Sequence, residues 1–310
     1  MLCTHTSISG KNLSLERNLI NQQDADFYKE QGYLVVENVL NQSELAALRS
    51  DLKKVIANAK TVSENNDVYD LEDTHSPDNP RVRRIKHPHT VMPTVMDLMR
   101  HPALVDILTK LIGPGVRFQT SKLNMKSAGY GAAVEWHQDW AFYPHTNDDL
   151  LAVGVMLDDV ADINGPMQVI PGSHRGEIFD HHHNGYFCGA INPDNADIDF
   201  SRAVPLVGPA GSMTFHHVRS VHGSALNRSD RSRNFLLYQF TAADAWPLTE
   251  PVEDLDQYNS WLVAGEPTIE PRVAYAPVRL PLPPAPAQGS IYENQRSLNN
   301  RFFDVADETV

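Results

Sequence analysis

At 310 residues and 41% hydrophobic content, the chain is long enough to bury a substantial core, as one elaborated domain. A net charge of −13 provides no broad basic field, which argues against a nucleic-acid partner. Two cysteines, Cys3 and Cys188, give neither a disulfide framework nor a Cys-rich zinc site. There is no charged-then-apolar leader, no apolar run of membrane-spanning length, and no Ser-Lys-Leu address at Asp307 to Val310. A cytoplasmic protein is expected, without membrane partners.

Asn41-Gln42-Ser43-Glu44 reads as a helix-capping box, and Leu45, Leu48, Leu52 and Val55 then recur at helical spacing. This predicts a helix over about 42–58. Residues 60–90 carry little apolar periodicity. Acids lie between Asn65 and Asp73, and a basic run follows from Arg81 to Lys86. That run is expected as a loop over the mouth of the domain. It is either solvated and balanced by the acids, or a clamp in which Arg83 and Arg84 hold an anionic substrate such as a CoA thioester or a phosphonate. Residues 93–111 are again helical in pattern, interrupted at His101-Pro102 and stopped by Gly113-Pro114-Gly115.

From Val116 the period changes. Short apolar strands separated by turn residues are predicted at about 116–126, 134–140, 151–157, 167–170, 211–217, 221–224 and 234–241. Helices flanking many short strands point to a mainly β protein built on an antiparallel jelly roll, the double-stranded β-helix of cupin-like folds. The expected organisation of the single domain, 1–310, is a helical region over about 23–112, a jelly-roll core over about 116–245 and a Pro-rich extension over about 275–310. Pro277, Pro281, Pro283, Pro284 and Pro286 keep that extension out of a central strand. It is expected to wrap the domain or a partner in a homo-oligomer.

Of the 14 histidines only His137 is followed two residues later by an acid, Asp139. Alternate residues of a strand face one way, so both side chains could reach one metal ion. A second histidine from a distant strand would complete a two-histidine, one-carboxylate face with open positions. Such a face suits non-haem Fe(II) better than zinc. His222 is the candidate, with His216 and His217 as rivals. At most one of that adjacent pair points inward, where it reads as a supporting or core histidine. A basic residue at the start of the strand beyond His222 can face the same cavity and grip a carboxylate with two parallel hydrogen bonds. Arg231 and Arg233 both satisfy this. Trp140 and Tyr143 are candidate substrate contacts, and His181-His182-His183 reads as a mobile surface loop.

Four blocks in order resemble the phytanoyl-CoA dioxygenase family of Fe(II)/2-oxoglutarate oxygenases. They are Asp26 to Val36, His137 to Pro144, Gly165 to His174, and His222-Gly223-Ser224 with an arginine eleven residues after the histidine. The resemblance implies iron ligands His137, Asp139 and His222. It also implies 2-oxoglutarate held by Arg233, Ser224 and Lys126, and hydroxylation of a small or medium-sized metabolite by O2 with release of succinate and CO2. The competing readings are a non-oxidative, metal-dependent cupin isomerase or hydrolase, and a silent jelly-roll binding protein.

Overall fold

The computed structural model describes residues 18–129, 131–286, 291–298 and 300–304. Cys3, the amino-terminal residues read for a leader and the last residues read for an address lie outside this range. The helices are α1 (Gln22–Gln31), α2 (Gln42–Asn58), α3 (Pro93–Leu98), α4 (Pro102–Ile112), α5 (Leu255–Ser260) and α6 (Ile291–Asn294). The strands of the first half are β1 (Tyr33–Val36), β2 (Tyr69–Leu71), β3 (Val82–Lys86), β4 (Val116–Lys126), β5 (Val134–His137), β6 (Leu150–Met156) and β7 (Met167–Val169). Those of the second half are β8 (His182–His183), β9 (Tyr186–Phe187), β10 (Val204–Leu206), β11 (Met213–His217), β12 (His222–Ser224), β13 (Arg233–Ala242) and β14 (Leu262–Ala264).

Two antiparallel sheets face each other, as a jelly roll requires. The larger runs β1-β11-β6-β13-β4-β3-β2, with β14 on β4, and the smaller runs β10-β7-β12-β5. The capping box forms as expected: the Asn41 side chain accepts from the amides of Ser43 and Glu44, while Glu44 reaches back to the Asn41 amide. Leu45, Leu48, Leu52 and Val55 are the buried face of α2. The second helical segment is split into α3 and α4 around His101-Pro102, because proline cannot supply the amide that a continuous helix needs.

The principal hydrophobic core lies between the larger sheet and the helices, rather than between the sheets. Phe118, Leu123 and Met125 of β4 join Leu236, Tyr238 and Phe240 of β13 in it, together with Leu104 and Leu108 of α4. The other face of the same two strands carries Lys122, Asn124, Lys126, Arg233, Phe235 and Leu237 into a cavity between the sheets. Strand alternation therefore separates stability from chemistry.

The basic run is not a loop. Val82 to Lys86 is β3, paired with β4. Val82 and Ile85 enter the helix-side core, and Lys86 pairs with the buried Asp70 at 2.9 Å. The acids do balance the run, but inside the sheet. A register shift against β2, where Asp70 faces Arg84 and Leu71 faces Val82, inserts Arg83 as an extra residue and breaks the period of two. The predicted strand over 134–140 also stops early, at His137. The His181 to His183 run is no surface loop either: His181 is 1% exposed and accepts the Gln138 amide at 2.9 Å.

The extension packs back on its own chain: Pro277 and Pro283 carbonyls accept from the Trp140 indole (2.8 Å) and the Phe187 amide (2.7 Å). No described helix is long and apolar enough to cross a membrane. Cys188 is a buried free thiol.

Candidate metal centre and adjoining cavities

The smaller sheet places the two histidines. His137 of β5 and His222 of β12 are register partners, with ring centroids 4.1 Å apart. Each ring is locked by its own backbone, Nδ1 donating to the carbonyl two residues earlier: His137 to Glu135 at 2.8 Å and His222 to Ser220 at 2.9 Å. Both Nε2 atoms are thereby left as acceptors, the form a metal needs. Asp139 opens a 3-10 turn, and the extended backbone at Gln138 keeps its side chain on the His137 side.

Gln138 fixes this junction. Its side chain donates to the Glu177 and Arg219 carbonyls and accepts from the Phe179 amide, each at 2.9 Å. The Asp139 carboxylate then lies 3.7 Å from His137 Nε2 and 3.9 Å from His222 Nε2. One ligand atom from each of the three residues falls within 4.8 Å of the others.

The protonation states match a divalent cation. Burial pushes His137 down to about 4 and His222 well below its usual value, so both rings are neutral at pH 7. Burial alone would raise Asp139. The Lys122 ammonium foremost outweighs it and holds the carboxyl well below the usual range. Two neutral imidazoles and one ionised carboxylate, buried together, fit ferrous iron with sites left for a bidentate ligand and a gas. His216 points inward, 3.5 Å from Asp139, with neither ring nitrogen hydrogen-bonded. His217 faces the other way, against His174. The inward member of the pair is thus a buried histidine beside the carboxylate.

A cavity of about 50 Å³ runs from these three residues to Arg233, lined also by Lys126, Ser224 and Tyr292. Arg233, the first residue of β13, is 2% exposed and its Nε lacks a partner. The Arg231 side chain is 80% exposed. Burial therefore separates the two arginines that strand alternation left open, in favour of the one that family spacing implies, and a buried guanidinium facing a metal site fits the distal carboxylate of 2-oxoglutarate. The Lys126 ammonium donates to the carbonyls of Ser224 (3.3 Å) and Ala225, tying β4 to the end of β12. Burial, then Arg233, hold it well below its usual value.

A second cavity of about 170 Å³ shares Asp139, Lys122, Leu237 and Ile291 with the first. Arg84, Phe142 and Tyr143 line it. The Tyr143 hydroxyl donates to Gln239 at 3.1 Å. Trp140 does not line it: its ring is 1% exposed and packs with Leu150, Ile178, Val218 and Ala242. Arg83 stacks over the Tyr292 ring at 5.3 Å instead. Lys122 and Tyr292 are among the lining residues that escaped the sequence reading. Lys122 shares its strand face with Asn124 and Lys126, so alternation alone could have found it. Tyr292 sits in the extension, where no periodic signal marks it.

Comparison with known proteins identifies the family. The family described as Phytanoyl-CoA dioxygenase (PhyH) matches residues 28–235. A probable alpha-ketoglutarate-dependent hypophosphite dioxygenase of Stutzerimonas stutzeri is 38% identical over 280 residues, covering 89% of this chain and 97% of that protein. L-proline trans-4-hydroxylase of Streptomyces griseoviridis is 30% identical over 247 residues, covering 72% and 88%. Among solved structures, EctD from S. alaskensis with bound Fe has the same fold, with a TM-score of 0.64 at 23% identity over 84% of this chain and 90% of that one. The chain belongs to the phytanoyl-CoA dioxygenase family, and with it to the Fe(II)/2-oxoglutarate-dependent dioxygenases.

Proposed function

We propose that this dioxygenase hydroxylates a small anionic metabolite, whose negative group rests against Arg84 and Lys122. The observation that carries the reading is the second cavity, which presents these two cations beside Asp139. Its volume of about 170 Å³ is below the range of roughly 300–1,000 Å³ typical for drug-sized ligands. This favours a compact substrate over a whole CoA thioester. The similarity to a probable hypophosphite dioxygenase makes small phosphorus oxyanions the first class to test.

His137, Asp139 and His222 would hold the iron, which when bound couples oxidative decarboxylation of 2-oxoglutarate by O2 to oxygen insertion into a substrate bond. Arg233 would grip the distal carboxylate of 2-oxoglutarate through two parallel hydrogen bonds, with the Ser224 hydroxyl donating a third. Lys126, clamped on two carbonyls, would act by fixing the spacing between Ser224 and Arg233 and by adding positive potential. Tyr143, anchored on Gln239, would set the wall against which the substrate lies, and the apolar Phe142 and Leu237 would keep water from the reacting end. A cytoplasmic setting suits ferrous iron. We further propose that the exposed apolar residues of the extension, Tyr275, Val278, Leu280 and Leu282, support a homo-oligomer, which sedimentation would test.

The test of function begins without turnover. Fe(II) and 2-oxoglutarate added anaerobically to metal-free protein should give a weak metal-to-ligand charge-transfer band, absent in His137→Ala. Succinate release is then screened with hypophosphite, phosphite and small phosphonates against neutral and cationic controls. Tight zinc binding with no band would favour a non-oxidative cupin enzyme or a binding protein. Turnover confined to neutral substrates would refute the anionic assignment.

A further inference from the structure

The extension does more than return to the domain surface. α6 delivers Ile291 to both cavities and Tyr292, 7% exposed, to the cavity that holds Arg233. Arg83 stacks over the phenol ring at 5.3 Å, with Nε and Nη2 buried and without hydrogen bonds. The phenol thus stacks with one guanidinium and lines the cavity of a second, the proposed carboxylate anchor Arg233. It can donate its proton to an oxygen of the same carboxylate.

The segment is fastened to β5, the strand that ends in His137. Gln295, 2% exposed, accepts the Glu135 amide at 3.1 Å and donates to the Gly189 carbonyl at 3.0 Å. The Glu135 carboxylate accepts the Phe302 and Phe303 amides at 2.9 and 3.4 Å. Phe303 stacks on Trp136 with centroids 5.4 Å apart. Among the described residues, β5 is an edge strand of the smaller sheet, so these contacts close an edge that bears a metal ligand.

We propose that the carboxy-terminal segment completes the 2-oxoglutarate site: Tyr292 hydrogen-bonds the distal carboxylate beside Arg233, and cosubstrate binding tightens the docking of residues 291–298 and 300–304 on β5. This rests on Arg233 being the cosubstrate anchor. Because Tyr292 reaches the cavity only when the segment is docked, binding of the carboxylate and docking of the segment reinforce one another.

The experiment uses the full chain and two readouts that need no turnover. The first is 2-oxoglutarate affinity from the anaerobic charge-transfer band, with Fe(II) affinity measured alongside. The second is the rate of tryptic cleavage after Arg296 and Arg301 in protein loaded with redox-inert Mn(II), with and without 2-oxoglutarate. Tyr292→Phe keeps the ring beneath Arg83. It should weaken 2-oxoglutarate binding about tenfold, the scale of one hydrogen bond to a charged group, with Fe(II) affinity unchanged. Cosubstrate should slow both cleavages in the wild type, and Phe303→Ala should speed them and weaken 2-oxoglutarate binding together. Unchanged affinity in Tyr292→Phe, or cleavage rates indifferent to 2-oxoglutarate, would overturn the proposal alone if Arg233→Met still abolished binding. A wild-type protein that bound no 2-oxoglutarate would overturn both readings.

Discussion

Arg233→Met should make the protein more stable while disabling it. Arg233 is 2% exposed, and burial pulls its guanidinium well below the usual range, down to about 10. That displacement corresponds to about 3 kcal/mol spent on keeping the charge in place without its anion. Methionine keeps much of the volume beside Phe235 and removes the charge. Replacing a buried charge by an apolar group of similar size is commonly stabilising by about 1–4 kcal/mol, so the urea midpoint of the metal-free variant should rise.

The same substitution deletes two hydrogen bonds to a carboxylate, each worth about 1.5–3 kcal/mol. Their sum, about 3–6 kcal/mol, predicts a loss of 2-oxoglutarate affinity of roughly 10²- to 10⁴-fold. The assays are a urea denaturation series on metal-free protein and the anaerobic charge-transfer titration. A variant that bound 2-oxoglutarate normally, or that was destabilised with affinity intact, would refute the reasoning, because Arg233 would then be a structural residue.

Arg84→Gln should raise KM for the anionic substrate by about 10- to 100-fold, the scale of one charge-assisted hydrogen bond, and leave 2-oxoglutarate affinity unchanged. Equal losses in both would show that Arg84 serves the cosubstrate instead. Gly154→Ala should cost about 1–3 kcal/mol in denaturant unfolding, because its Cβ would lie 2.1 Å from the Phe235 ring and 2.6 Å from the Thr214 hydroxyl. A wild-type midpoint would mean that this wall of the cavity yields. His145, held neutral chiefly by burial and lowered to about 4, contributes stability that is present above its unfolded value near 6.5 and is lost as pH falls toward 4. His145→Asn should therefore flatten the decline of the urea midpoint between pH 6.5 and 4 by up to one proton, and an unchanged slope would count against it.

The three residues that the structure gathers at the candidate metal centre were legible because their signal is local or nearly so: a histidine and an acid two residues apart, then a histidine at the start of another short strand. Family spacing singled out Arg233 over Arg231, and the structure adds the physical reason, since the strand starts at Arg233 and leaves Arg231 outside it. β2 and β3 were hidden because Asp70, Arg83, Arg84 and Lys86 are buried or half-buried charges where a half-solvated strand would show polar and apolar residues in turn. The inserted Arg83 erased what alternation remained. His181 looked like part of a surface run because its partner is a backbone amide, which leaves no mark in composition. Tyr292 follows a proline-rich stretch and sits on a four-residue helix, so nothing short of tertiary structure connects it to Arg233.

β4 shows what an enzyme gains from a wall with two occupations. Leu123 and Met125 face the helices, while Lys122, Asn124 and Lys126 face the reaction chamber. A lineage could rewrite the chamber residue by residue and leave the neighbouring anchors untouched. Randomising Thr120, Lys122 and Asn124 with Leu123 and Met125 held constant would explore new substrates at little risk to folding. The reverse library would explore only collapse. In that sense the strand is a keyboard whose alternate keys play different instruments, and substrate range can drift in such a protein without the scaffold having to follow.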